Sequence, residues 1–202
     1  MIILNDIEQG SKEWFAARAG VVTMSELDKI ITTTGKESAQ AKKYMYLKAG
    51  EKMIGTCESG YTNHHMDRGK ELEAEARGYY ELVNDVEVQE VGLCYKDETK
   101  RVSCSPDGLI GDDGGLEIKC RSLAIHMENL DKNKLPTGDY CQVQGSLWVT
   151  GRKWWSYLSY YPGAKQLLIR VEPDFAFHRK IEVTVNSFLA DLDELVERLA
   201  NS

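Results

Sequence analysis

The chain has 202 residues, of which 42% are hydrophobic, and 25 Lys and Arg against 32 Asp and Glu give it a formal charge of −7. A chain of this length buries about 70% of the surface its unfolded form exposes, so neither disulfides nor a structural metal is needed to hold a core. The acidic balance excludes a sequence-independent coat for nucleic acid, whose affinity comes from basic side chains displacing counterions, but it leaves room for a local basic groove.

Met1-Ile2-Ile3-Leu4 is followed at once by Asn5, Asp6 and Glu8, and no apolar run approaches the roughly 20 residues of a membrane span. Neither a signal peptide nor a membrane anchor is expected, and the protein reads as cytoplasmic. The five cysteines (Cys57, Cys94, Cys104, Cys120, Cys141) are scattered without a C-x-x-C pair and read as reduced thiols. No repeat and no Gly/Ser/Pro-rich linker divides the chain, so a single domain over 1–202 is expected. Periodicity predicts helices near 11–19, 24–31, 38–54 and 66–82. The period then shortens: Val86, Val88 and Val91, then 101–104, then 116–120 read as strands separated by Asp107-Gly108 and Asp112-Asp113-Gly114-Gly115. A helix over 137–149, strands over 154–161 and 167–171, and a last helix capped by Asn186 or Ser187 follow. The order implies an α/β domain with a central mixed sheet flanked by helices.

The chemistry concentrates at Ser105-Pro106-Asp107, followed after nine residues by Glu117-Ile118-Lys119. On a strand Glu117 and Lys119 share one face and Ile118 points the other way. If the 112–115 turn folds the preceding strand back, Asp107 arrives beside Glu117. Two adjacent carboxylates repel, which makes a divalent cation their natural partner, and oxygen ligands favour Mg2+ over zinc. Such a centre can hydrolyse a phosphodiester, with Lys119 orienting water and offsetting the developing charge. Upstream, Thr23-Met24-Ser25-Glu26 is a capping box, which puts Ser25 in the first turn of a helix where an anion is favoured. Arg18, just before it, offers a planar fork of donors suited to phosphate. Basic residues cluster at Lys42, Lys43, Lys48 and Lys52, and again at Arg121, Lys132, Lys134, Arg152 and Lys153; they suit either a DNA groove or a solvated face. His64, His65 and His126 have no placement beside the carboxylates and stay out of the metal site.

Ser103–Leu109 with Gly115–Cys120 resembles the core of the lambda-type phage exonuclease family, the YqaJ-like viral recombinases, within the restriction-endonuclease-like PD-(D/E)XK nucleases. Glu13–Glu26, Gly69–Glu73 and Cys141–Thr150 resemble that family's N-terminal, helical-glutamate and glutamine motifs, in family order. The resemblance implies a restriction-endonuclease-like core and a Mg2+-dependent exonuclease that digests one strand of linear double-stranded DNA 5′ to 3′, leaving a 3′ overhang for recombination. It implies Asp107, Glu117 and the Ile118 carbonyl as ligands of two Mg2+ ions, with Mn2+ able to substitute, and Glu73 as a nearby catalytic carboxylate. It assigns Arg18, Ser25, Ser105 and Gln142 to the 5′ phosphate and Met66 to a strand-separating wedge, while Gln144, two residues from Gln142, points elsewhere on the helix. It also implies a ring-shaped homotrimer acting on DNA ends, a single-strand annealing protein as partner, and a phage or prophage origin. Cys120 is followed by Arg121 where the family usually has a proline, which leaves the next loop's DNA contacts open. A structure- or sequence-specific endonuclease of the same fold, and a non-catalytic DNA-end-binding recombination protein, remain as alternatives.

Overall fold

The structure, a computed structural model, describes residues 1–57 and 64–201, and for residues 64–71 the backbone alone. In chain order the described elements are β1 (Ile2–Leu4), α1 (Lys12–Arg18), β2 (Val22–Thr23), a 3₁₀ helix (Met24–Lys29), α2 (Ala41–Ile54) and α3 (His64–Asn84). The strands β3 (Leu93–Tyr95), β4 (Val102–Cys104), β5 (Gly108–Ile110) and β6 (Gly114–Lys119) come next, then α4 (Leu123–Lys132), α5 (Thr137–Thr150), β7 (Trp154–Ser159), β8 (Leu167–Val171) and α6 (Phe175–Ala200).

The mixed α/β architecture is there, with its strands divided between two four-stranded sheets ordered β1-β3-β4-β2 and β5-β6-β7-β8. Each sheet holds one parallel pair, β2 with β4 and β6 with β7. The division falls at Ser105-Pro106-Asp107, where Pro106 has no N–H to give to a ladder. A lone bridge between Gln89 and Leu109 ties the segment before β3 to the second sheet. The main core lies among α2, α5, α6, the 3₁₀ helix and both sheets, with Met24, Leu27, Leu147, Trp155, Tyr157 and Ile181 all essentially inaccessible.

Several elements depart from the pattern-based expectation, each for a physical reason. The last helix begins at Phe175 behind Asp174, whose carboxylate accepts the Phe177 N–H at 2.9 Å, eleven or more residues before the expected cap. Its first half contains the β-branched run Ile181-Glu182-Val183-Thr184-Val185, yet Phe177, Ile181, Val185 and Phe188 recur at helical spacing and are buried, so packing overrides propensity. Helix α4 was not expected, because its apolar Leu123, Ile125 and Met127 are exposed while His126 and Asn129 are buried. No apolar stripe announces such a helix. Val88 and Val91 are buried, but in that segment only Gln89 forms a bridge, and the strand proper is Leu93–Tyr95. The expected helix at 24–31 is a 3₁₀ helix of six residues, and Thr23 makes no side-chain cap to its backbone. Its hydroxyl instead donates to Glu26 Oε2 at 3.5 Å.

Two features set the geometry of the region that matters below. Gly145 lets α5 approach the 3₁₀ helix: a Cβ there would lie 2.6 Å from Met24 Sδ and 2.8 Å from Leu27 Cδ2. Arg152, one of the basic cluster, is buried, and its Nη1 donates to the carbonyls of Gly111 at 2.7 Å and Gly114 at 2.6 Å. It therefore braces the β5–β6 turn and does not face a DNA groove. Arg152→Ala leaves those buried acceptors without their donor and is expected to destabilise the protein by about 1–3 kcal/mol, read as a lowered urea midpoint at unchanged slope.

Candidate active site

The β5–β6 hairpin pairs Gly108 with Leu116, so Asp107, one residue before β5, falls opposite Glu117. Asp107 is fixed at both ends: its N–H donates to the Leu116 carbonyl at 3.2 Å and its Oδ2 accepts the Ile118 N–H at 2.5 Å. Because the N–H and C=O of one strand residue face the same side, the Ile118 carbonyl lies along the same edge, past the end of β5. Lys119, two residues from Glu117 on the same face of β6, donates to Glu117 Oε1 at 2.6 Å. From α5, Gln142 clasps both partners, giving its Nε2 to Glu117 Oε1 at 2.6 Å and taking the Lys119 ammonium on its Oε1 at 3.2 Å. One turn earlier on α5, buried Asp139 pairs with Arg121 and accepts the Tyr157 hydroxyl at 2.8 Å, which anchors the start of the helix to the sheet.

Glu73 approaches from α3. Ala76 and Tyr80 of that helix are buried, and Glu73 lies on the same face, one and two turns earlier. Arg77 holds it at 2.9 Å, pairs with Glu90 at 2.8 Å, and donates from Nε to the Asp107 carbonyl at 3.1 Å. A cavity of about 530 Å³ opens beside this group, with Gln9, Glu73, Arg77, Glu90, Pro106 and Asp107 in its walls, a size within the range of small-molecule sites.

The electrostatics follow from the burial. Loss of water pushes the Asp107 carboxyl up to about 7, and the nearby Glu73 charge adds to the rise. Burial likewise pushes Glu117 up to about 7, against the pull of Lys119. The Lys119 ammonium is disfavoured by burial, but Glu117 and Asp107 more than offset this and hold it above its ordinary value. Burial, with Glu117 adding to it against Arg77, also raises Glu73. Glu117 Oε2 is buried with no hydrogen-bond partner. An orphaned carboxylate oxygen beside a second desolvated carboxylate suits a divalent cation. Among the described residues no three His, Cys, Asp or Glu side chains close into a cage, and Mg2+, which keeps several waters and binds through one or two carboxylates, needs none.

A second cluster adjoins the first along Ser105-Pro106-Asp107. The Arg18 guanidinium stacks 3.9 Å above the Trp14 ring. It reaches Ser105 Oγ at 3.3 Å and both Thr23 Oγ1 and Ser25 Oγ at 3.5 Å. These contacts lie at the long end of the hydrogen-bond range. Trp14 Nε1 donates to Ser105 Oγ at 3.1 Å and to the Gly92 carbonyl at 3.0 Å.

The sequence matches the family described as YqaJ-like viral recombinase domain over residues 13–153. The chain belongs to that family. Its fold is similar to that of an alkaline exonuclease, LHK-Exo, from Laribacter hongkongensis, with a TM-score of 0.86, 35% identity, and 95% of this chain and 97% of that one covered. The same figures hold for LHK-Exo in complex with dAMP. A phage related exonuclease from Haemophilus somnus 129PT shares the fold at a TM-score of 0.64 and 16% identity, covering 89% of this chain and 96% of that one. No curated protein sequence matches the chain. With these neighbours the restriction-endonuclease-like fold is established for this family member.

Of the residues the sequence singles out, Asp107, Glu117, Lys119 and Gln142 meet in one cluster, with Glu73 beside it, and Arg18, Ser25 and Ser105 meet in the other. Gln142 stands with the carboxylates, not against Arg18. The dipole argument for Ser25 does not carry over to a six-residue 3₁₀ helix, and what remains there is its exposed hydroxyl. Gln144 is structural: buried, it bonds the Glu172 carbonyl, the Asp174 N–H and His178. His126 is buried against Ser159 and the Lys165 carbonyl. Most of the basic clusters are engaged within the chain: Lys48 with Glu51, Lys52 with Asp193, Arg121 with Asp139, Lys132 with Glu128 and Lys153 with Asp113. The side chains of His64, His65 and Met66 lie outside the described residues. Sequence reasoning gave no role to Trp14 or Arg77, although Trp14–Arg18 and Glu73–Arg77 are both i,i+4 pairs that put the partners on one helix face.

Carboxyls that titrate near 7 when folded and near 4 when unfolded bind extra protons in the native state between those values. Without metal, the free energy of unfolding therefore falls as pH rises through that window. In EDTA the advantage of Asp107→Asn over wild type is expected to grow between about pH 5.5 and about pH 8, to about 1–3 kcal/mol at the higher pH. A stability difference between the two proteins that is the same at both pH values would contradict this account of the pair.

Proposed function

We propose that the chain acts, as a single domain over 1–202, as a Mg2+-dependent 5′-to-3′ exonuclease that digests one strand of linear double-stranded DNA and leaves a 3′ overhang for recombination. That it is a nuclease of the exonuclease type follows from its family and its structural neighbours. The observation that carries the finer reading is the adjacency of the two clusters. Ser105 and Asp107 are two residues apart, so they are separated by at most about 7 Å, on the order of one nucleotide. A terminal phosphate held at one cluster puts the next phosphodiester at the other.

Arg18, Ser25 and Ser105 hold the 5′ phosphate, with Trp14 as the platform that keeps the guanidinium flat against it. Asp107, Glu117 and the Ile118 carbonyl hold the metal, and Glu73 lends further negative charge. When bound, Mg2+ supplies Lewis-acid polarisation of the phosphoryl oxygen and a more acidic water. Lys119, anchored by Glu117 and Gln142, orients the attacking water and offsets charge that develops on the phosphate. Gln142 contributes by holding Lys119 and Glu117 in register. The complex of LHK-Exo with dAMP supports a 5′-mononucleotide as product. An acidic exterior of net charge −7 suits a homotrimeric ring in which only the channel attracts phosphates. A single-strand annealing protein that coats the overhang is the expected partner, in the cytoplasm of a bacterial host.

End-labelled linear duplex is expected to shorten from its 5′ ends only when Mg2+ is present, while closed circular DNA stays intact. Cleavage of the circle would favour an endonuclease instead. Asp107→Asn is expected to abolish digestion but retain end binding, and Lys119→Ala to slow the chemical step by about 10²–10⁴. A monomeric mass at micromolar concentration would remove the ring from the reading.

A further inference from the structure

The cluster around Arg18 and Ser25 rests on helix α2 through a buried group of charges that the chemistry above does not use. Lys48 is 2% exposed and Glu51 5%. Lys48 Nζ lies 2.8 Å from Glu51 Oε2 and 3.7 Å from Glu26 Oε2, over the Tyr44 ring at 5.2 Å. Glu51 Oε2 also accepts the N–H of Gly20 at 3.2 Å. Gly20 follows Arg18 by two residues and has a φ of +68°, and a Cβ there would sit 2.7 Å from Lys52 Cβ, so the turn that ends α1 is pressed directly onto α2. Glu26 is the next residue after Ser25, and Lys29 engages its other oxygen.

Each side of the anion corner is thus tied to the same helix. Glu51 holds the Arg18 side through the Gly20 amide, and Lys48 holds the Ser25 side through Glu26. Removing these charges from water is costly, and apolar residues of similar volume stabilise a core as well or better. What an ion pair adds is direction. Direction is of use at this corner, because Trp14 sets the plane of the Arg18 guanidinium but Arg18 touches Ser105, Thr23 and Ser25 only at 3.3–3.5 Å.

We propose that Lys48 and Glu51 are positioning residues that set the spacing between the Arg18 guanidinium and the Ser25 hydroxyl, and so determine the enzyme's preference for a 5′-phosphoryl over a 5′-hydroxyl end. This rests on the reading that the corner receives the terminal phosphate. A misplacement of such a clamp by about 1 Å can cost on the order of a hundred-fold, without any change at the reacting atoms.

The test compares wild type, Lys48→Met and the double variant Lys48→Met/Glu51→Leu on linear duplexes with 5′-phosphoryl or 5′-hydroxyl ends in Mg2+. The double variant leaves neither Lys48 nor Glu51 as an unpaired buried charge, so it keeps the test informative if the single variant fails to fold. The ratio of kcat/KM for phosphorylated over hydroxyl ends is expected to fall about ten- to a hundred-fold, mainly through KM on phosphorylated ends. A ratio equal to that of wild type overturns the proposal. An equal loss on both kinds of end also overturns it, since that is the signature of general destabilisation. A wild-type enzyme that digests both ends alike defeats the phosphate reading of the corner and this inference with it, whereas absence of any end digestion defeats the nuclease reading.

Discussion

Two carboxylates and one ammonium share one small site, Glu117 buried, Lys119 half-buried and Asp107 half-buried at the edge of the cavity, and this excess of negative charge governs the rest of the site. Glu117 is 2% exposed, with one oxygen shared between Lys119 and Gln142 and the other unpartnered. A folded chain does not keep such a group for stability, because an apolar side chain in its place costs less. The arrangement suits a further cation. Arg77 keeps the flanking Glu73 and the Asp107 carbonyl from drifting, and Asp139 keeps the helix that carries Gln142 against the sheet.

The sheet geometry exists to hold that charge in register. Since side chains alternate along a strand, a slip of one residue between β5 and β6 would send Glu117 and Lys119 to the wrong face. Three constraints resist the slip. The Gly108–Leu116 pairing is continued by the Asp107 N–H, the Asp107 carboxylate caps the Ile118 N–H, and Arg152 ties down the turn at the far end. Pro106 lies immediately before Asp107, so the β5–β6 hairpin belongs to the second sheet while Ser105 directly follows β4 of the first. Anion corner and acidic centre are adjacent because they lie on either side of that break.

Family membership and structural neighbours agree with this physical reading without adding to it residue by residue. LHK-Exo is similar over nearly the whole chain, which places the hairpin, α5 and α3 in a nuclease scaffold. The Lys48–Glu51–Glu26 group, by contrast, belongs to this chain's own contacts, and it ties the segments that carry Arg18 and Ser25 to helix α2.

The sequence alone determined the order of helices and strands through most of the chain, and it offered the adjacency of Asp107 to Glu117 on the condition that the Asp and Gly turn at 112–115 reverses the chain, which the β5–β6 pairing decided. It also carried the shared face of Glu117 and Lys119, which period two requires. Other features were legible only in three dimensions. Glu73 looked like its charged neighbours until the burial of Ala76 and Tyr80 gave α3 an inward face, and Gln142 became a clasp on Lys119 once α5 crossed over β6. Lys48 and Arg152 read as surface charge, and α4 gave no signal because its apolar residues face outward. In each case the deciding quantity is the distance between residues far apart in the chain. Local pattern encodes which way a side chain points along its own element, but which partner it meets there depends on how the elements pack.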